Sequence, residues 1–328
     1  MFKDKAFRSD IVRIALPITL QSVIMSLLAM TDQLMVGQLG EVAIASVGIS
    51  AKLTSIVSVV LAGLASGISI YCAQYWGKGD TLRIRHLLGF GLGVGLLFAG
   101  GLALVVGTMP QLAMSPFTTD ARVLSEGAIF VQLLAISYLP SMLTMLYSAV
   151  LRSTGEVKLP MYASTSAVVI NVVLNYLLIF GHFGCPKLGL MGAAIATCIA
   201  RCMEFGIILV VVYWRRHVAA VTRLADLFGM ERGLLGRFFA TSLPIVLTEL
   251  LWVLGESGYA VVYGRMGTDE LAAMTMTYPL QGLAIGLLSG LAGAASVLIG
   301  NRLGAGNFDG AIDYAGKLLK VGVLCSLL

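Results

Sequence analysis

Charge is scarce in this 328-residue chain. Only 12% of its residues are Asp, Glu, Lys or Arg, against about 25% in soluble domains. With 58% hydrophobic residues, too little polar surface remains to coat a water-soluble globule, which excludes a cytosolic enzyme and a disordered chain. Histidine is scarce as well: three occur, none near a carboxylate-rich motif, and no resident metal site is expected. The five cysteines show no CxxC spacing, and four lie in apolar runs. They read as small buried hydrophobes rather than a disulfide framework. No HExxH motif, no GxSG motif paired with a histidine and no P-loop occurs. An intramembrane enzyme and direct drive by ATP are therefore not expected, and no cofactor is implied. The net charge of +5 does not point to nucleic acid, because the basic residues sit in short clusters between apolar runs.

Long apolar runs are abundant. Stretches able to cross about 30 Å of hydrocarbon fall near 12–36, 44–75, 86–112, 124–149, 160–183, 189–214, 238–263 and 272–302, and a ninth begins near 314. The fold class expected is an all-α polytopic membrane protein with the lipid bilayer as its first partner. The first run is too long for a signal h-region and reads as a retained helix. Glycine is frequent, with 38 residues. Pairs such as Gly63/Gly67, Gly89/Gly93 and Gly286/Gly290 are expected to let helices approach closely in lipid. Pro17, Pro140, Pro160, Pro244 and Pro279 lie within or at the ends of apolar runs, where proline can kink a helix.

Basic residues set the orientation. With a cytoplasmic N-terminus, 17 of them, Arg152 included, fall on the cytoplasmic side. Three fall opposite (Arg122, Lys187 and Arg265), and Lys52 and Arg201 lie within predicted helices. Residues 215–237 form the longest polar stretch, read as a cytoplasmic linker with an amphipathic surface helix.

A repeat crosses that linker. Shifted by 227 positions without a gap, Leu16-Pro17-Ile18 lands on Leu243-Pro244-Ile245, and Gly63-Leu64-Ala65 on Gly290-Leu291-Ala292. Gly77 and Gly79 land on Gly304 and Gly306. Six helices separate equivalent points, so the halves are parallel repeats, an arrangement common in transporters. The organisation expected is an N-lobe at 1–214, a linker at 215–237 and part of a C-lobe at 238–328. A second lobe matching the first in size would run well past Leu328, so the chain is expected to be a partial sequence.

The repeat also sorts the acids. Asp32 lands on Tyr259, Glu249 on Ser22 and Glu256 on Ala29. None is repeated, so none is a demand of the shared architecture. An intramembrane carboxylate is expensive, and that asymmetry favours function. Asp32 reads as a proton or Na⁺ site facing the bundle interior. Asn171 and Asn175, one turn apart, and Thr197 could share it as oxygen ligands or hydrogen-bond partners. Glu249 and Glu256 lie seven apart on one helix face and could attract a cationic substrate. Trp252, Tyr259 and Tyr278 could line that pathway and stack on organic cations. Arg201 and Glu204, at i,i+3, read as a neutralising pair.

These residues resemble a known family. Ala15-Leu16-Pro17-Ile18 followed by Thr31-Asp32-Gln33-Leu34-Met35-Val36-Gly37 is similar to the first helix of the multidrug and toxic compound extrusion (MATE) transporters. Gln74-Tyr75-Trp76-Gly77, Arg152-Ser153-Thr154-Gly155 and Gly300-Asn301-Arg302-Leu303-Gly304 resemble later motifs. The resemblance implies two six-helix lobes about a pseudo-twofold axis. It implies export of organic cations and drugs in exchange for H⁺ or Na⁺ from the plasma (inner) membrane, by a monomer. Asp32 matches the family's coupling acid, and Asn171 and Thr197 match polar members of the same site. Asn175 stands where many relatives carry Asp. Some relatives have an acid near Trp252, where this chain has Glu249 and Glu256 one turn either side. A lipid-linked oligosaccharide flippase of the same superfamily would prefer a groove rich in Arg and Lys, and a non-transporting membrane subunit would not need unrepeated acids.

Overall fold

The computed structural model describes residues 5–118, 121–220, 229, 232–266 and 268–326. Among them all regular structure is helical. The chain runs through α1 (Lys5–Gly37), α2 (Glu41–Lys78), α3 (Thr81–Gly95), α4 (Gly101–Thr108), α5 (Pro110–Met114), α6 (Ala121–Ala135), α7 (Tyr138–Ser153), α8 (Lys158–Phe180), α9 (Leu190–Trp214), α10 (Arg232–Met266), α11 (Thr268–Gly304) and α12 (Phe308–Ser326). Among the described residues seven helices are long and apolar enough to cross a membrane, and α6 with α7 makes an eighth if that bent pair is one span. Large side chains such as Leu97, at 76% exposure, face outward. In lipid that carries no penalty, whereas every backbone amide must be satisfied within a helix.

Two apolar runs depart from single straight helices. The third contains a π-helical turn at Leu96–Gly100 between α3 and α4. It ends at Met109 (φ −132°, ψ 57°), because the residue before Pro110 is pushed out of the helical region. The fourth breaks between α6 and α7 with a 40° bend. Pro140 has no N–H to give the Ile136 carbonyl. Instead the amides of Ile136 and Ser137 bond back three residues, to Leu133 O and Leu134 O at 3.2 and 2.9 Å.

The repeat extends to local geometry. Gly79 (φ 75°) and Gly306 (φ 77°) both end their helices in the left-handed region, which glycine adopts without steric cost. Gly79 N–H bonds Trp76 O and Asp80 N–H bonds Tyr75 O; Gly306 N–H bonds Leu303 O and Asn307 N–H bonds Arg302 O. Asp80 then caps the next helix at Arg83 N, and Asn307 does the same at Gly310 N. Every one of these pairs is 227 residues apart.

The two halves meet about a local twofold axis. α2 packs on α11, α1 on α11 and α10 on α2. A Cβ on Gly77 would strike the Asn301 carbonyl, and one on Gly304 would strike the carbonyl of Gln74, the repeat partner of Asn301. Gly63 meets Val246 and Gly290 meets Thr19, again a reciprocal pair. Gly300 faces Ala73, its own repeat partner, with a Cβ–Cβ distance of 2.7 Å were a Cβ present, so the axis passes between them. Gly286 likewise faces Ser22, and Gly67 faces Ser242. Gly93 faces open space; the third span packs instead through Gly91 against Ile68 and Gly95 against Met142. Of the expected pair, Gly93 therefore does not make the close approach. At the α1 N-terminus, Asp10 accepts from Arg302 Nη2 at 3.1 Å and from Tyr314 OH at 3.0 Å.

Ten of the 23 residues read as linker, 221–228 with 230 and 231, lie outside the described residues, and the surface helix expected in this stretch is not tested. α10 is already formed at Arg232.

Candidate functional site

α1, α8 and α9 bring four of the sequence candidates together. Asn171 and Asn175 occupy one face of α8, one turn apart, and both are buried. Asn175 Nδ2 donates to Asp32 Oδ1 at 2.7 Å and to Asn171 Oδ1 at 3.0 Å. Asn171 Nδ2 donates to Thr197 Oγ1 at 3.3 Å. The chain of bonds thus runs from α1 through α8 to α9. Asp32, Asn171 and Thr197 line a chamber of about 30 Å³, enough for one water or one small ion. Asn175 Oδ1 is buried without a hydrogen-bond partner among the described residues. Most such atoms in proteins are satisfied, so an unsatisfied oxygen beside a carboxylate leaves room for a proton or a hard cation as the missing partner.

A second polar group lies deeper along the same helices. Glu204 on α9 is 2% exposed. Its Oε2 accepts from Arg201 Nη1 at 2.8 Å and its Oε1 from Ser164 Oγ at 2.5 Å. Ser164 in turn accepts from Gln21 Nε2 at 2.7 Å, and Arg152 Nη2 reaches Gln21 Oε1 at 3.4 Å. The Arg201–Glu204 pair expected from spacing is present. Arg152, Ser164 and Gln21 were not anticipated. Arg152 read as a cytoplasmic topology charge, yet its side chain turns inward; Ser164 and Gln21 are single polar residues in apolar helices and carry no pattern.

These groups border a run of cavities. One of about 370 Å³ lies within the N-terminal helices, lined by Gln21, Tyr138, Thr144, Ser148 and Glu204 among others. It shares Met25, Thr197 and Arg201 with the Asp32 chamber. It shares Met145 and Arg152 with a cavity of about 440 Å³ that also borders Ile245, Ser296 and Val297 of α10 and α11.

The remaining candidates lie elsewhere. Glu249, Trp252 (60% exposed) and Tyr259 lie on the exposed surface of α10, and Glu256 is half-buried there. None lines these three cavities. Tyr278 is on α11, but its side chain lies outside the described residues.

Three comparisons bear on this arrangement. The MatE family profile matches residues 17–177 and 244–328. The chain is 27% identical over 321 residues to a probable multidrug resistance protein NorM of Bradyrhizobium diazoefficiens, covering 95% of this chain and 66% of that one. It is 28% identical over 305 residues to a probable NorM of Rhizobium meliloti, covering 89% and 62%. The chain thus spans under two thirds of the length of these curated relatives. Its fold is similar to that of a MATE transporter solved in complex with MaD3S (TM-score 0.88, 20% identity, 98% of this chain and 71% of that one). It also resembles an outward-facing multidrug resistance MATE transporter of the MOP superfamily (TM-score 0.85, 20% identity, 98% and 70%).

Proposed function

The chain belongs to the MatE family, a family of multi-pass membrane transporters, and from that premise we propose that it works as a secondary active antiporter. In this reading it exports organic cations, drugs or other xenobiotics in exchange for H⁺ or Na⁺ by alternating access. It sits in the plasma (inner) membrane as a monomer with its N-terminus in the cytoplasm. Residues 1–214 form the N-lobe, 215–237 the linker and 238–328 part of the C-lobe.

One observation carries the reading. Asp32, on α1, is tied through Asn175 and Asn171 to Thr197, and its chamber shares three walls with the larger cavity. A proton or Na⁺ arriving at Asp32 supplies the partner that Asn175 Oδ1 lacks and draws α1 toward α8. Loss of that ion leaves the carboxylate negative and Asn175 Oδ1 again without a partner. Because Met25, Thr197 and Arg201 are common walls, a shift of α1 changes the shape of the cavity where substrate would sit. The ion and the substrate then act on one movable element, which is the requirement for exchange. Glu249, Glu256, Trp252, Tyr259 and Tyr278 are proposed to line the cation pathway on the C-lobe side.

The test is dye efflux from membrane vesicles carrying the protein, with Na⁺ and pH gradients imposed separately. Asp32→Asn keeps the shape and removes the charge. It is expected to abolish efflux under both gradients with membrane insertion unchanged. Efflux at the wild-type rate would overturn the assignment.

A further inference from the structure

The mechanism above uses α1, α8 and α9 and leaves one polar surface of the N-lobe without a task. Thr144, Ser148 and Arg152 follow one another at four-residue spacing on α7, so they form a single stripe along that helix. All three line the 370 Å³ cavity. Thr144 Oγ1, Ser148 Oγ and Arg152 Nε are each buried with no hydrogen-bond partner among the described residues. Three unsatisfied groups in one row are unusual in an interior where buried polar atoms are nearly always paired.

Charge defines what would complete them. Glu204 is fully engaged, with Oε2 on Arg201 and Oε1 on Ser164. Among the described residues Arg152 hydrogen-bonds only the neutral Gln21, at 3.4 Å, with Glu204 as a nearby opposite charge. Arg201 is shared between Glu204 and the charge of Asp32, so Arg152 is the arginine of the cavity wall that hydrogen-bonds no carboxylate among the described residues. The guanidinium presents Nε–H as a free donor, and the two hydroxyls can donate beside it. The rest of the wall includes Met25, Leu61, Leu134 and Met145, which suit an apolar body. Arg152 also borders the 440 Å³ cavity between the halves, so the stripe is reachable from it.

We infer that Thr144, Ser148 and Arg152 form an anion subsite that takes the carboxylate of an amphiphilic organic molecule. One negative charge neutralises Arg152, and its two oxygens accept from Arg152 Nε and from the hydroxyl of Ser148 one turn away, while Thr144, about 12 Å from Arg152 along the helix, holds a second polar group of the same ligand. A zwitterionic ligand can therefore be held by its carboxylate here. The subsite's three residues are not among those lining the Asp32 chamber, although the two spaces share the walls Met25, Thr197 and Arg201.

The probe is 4-fluorobenzoate, titrated onto the protein in nanodiscs of neutral lipid and followed by fluorine NMR. 4-Fluorobenzyl alcohol is the neutral shape-matched control. The anion is expected to bind at least tenfold more tightly than the alcohol. Arg152→Gln is expected to remove that preference. Thr144→Val with Ser148→Ala, which leaves the charges in place, weakens the anion severalfold. Glu204→Gln removes the competing negative charge and tightens it, a change that a purely structural Arg152 would not produce. Equal binding of anion and alcohol overturns the inference. So does undiminished anion binding in the Thr144/Ser148 variant, which remains decisive if Arg152→Gln fails to fold.

Discussion

Asn175 Nδ2 lies 2.7 Å from Asp32 Oδ1 and gives its second bond to Asn171 on the same helix. An amide, not an acid, therefore faces the Asp32 carboxylate. Asn175→Asp would set two carboxylates at hydrogen-bond distance, where a proton or cation must sit between them. The expected outcome is efflux that persists but saturates at a lower concentration of the coupling ion. Vesicle transport measured against Na⁺ at fixed pH, and against pH without Na⁺, checks this. An unchanged ion dependence would show that Asn175 does not set the demand for the ion.

Glu204 offers a second measurement. It is buried, with Arg201 and Ser164 on its two oxygens. Removing one member of a buried charge pair typically costs about 3–5 kcal/mol. The other partner, Arg201, is 29% exposed, which places the expected loss for Glu204→Leu toward about 3 kcal/mol. Thermal unfolding in detergent reads it as a lowered melting temperature, with Glu204→Gln less affected because the amide oxygen can still accept from Ser164.

Glycine position separates packing from composition. Gly304→Ala puts a Cβ into the Gln74 backbone, where only a shift of the helices can relieve it. It should destabilise by about 1–3 kcal/mol or more. Gly93→Ala meets nothing within 4 Å and should stabilise slightly through helix propensity. Parallel melting curves of the two variants distinguish these outcomes.

His217, beyond the end of α9, carries a pH dependence. Its Nδ1 accepts from Ala219 N–H at 3.1 Å, so the neutral ring donates from Nε2 to Thr154 Oγ1, also at 3.1 Å. Burial holds its pKa below the ordinary 6.5, opposed by the nearby Glu156 charge. The folded state thus binds fewer protons than the unfolded one. Its contribution is complete above about pH 6.5 and is lost as pH falls through the lower folded value. The melting temperature should fall on acidification from pH 7 to 5, and His217→Gln should flatten that part of the slope.

Much of the architecture was legible because hydrocarbon demands long apolar runs and the repeat left its glycines in place. Asp32, Asn171, Asn175 and Thr197 stood out as polar residues in apolar helices, and the structure puts them within bonding distance. Arg152 escaped because a basic residue near a helix end looks the same whether it turns to water or inward. Gln21 and Ser164 escaped because a lone uncharged polar residue in such a helix has no sequence partner. Gly93 does not make the close approach expected of it because several small-residue pairs in 89–95 compete, and the neighbours Ile68 and Met142 favour Gly91 and Gly95. The break before α7 needed the loss of one amide at Pro140, whereas Pro17 and Pro244 sit inside continuous helices; proline alone does not say which.

In the proposed alternating access, the contact between Ala73 and Gly300 would act as a fulcrum. Around it α2 and α11 touch backbone to backbone at Gly77 and Gly304, with little side chain between them to compress. The same end of the molecule is clasped by Asp10, Arg302 and Tyr314. Asp32 lies at the other end of α1, about 33 Å along the helix from Asp10. A tilt of about 10° between the halves would leave the joint almost still and open about 6 Å at the level of Asp32. The missing methyl groups at the joint thus set the leverage with which a small rotation becomes a passage wide enough for a ring.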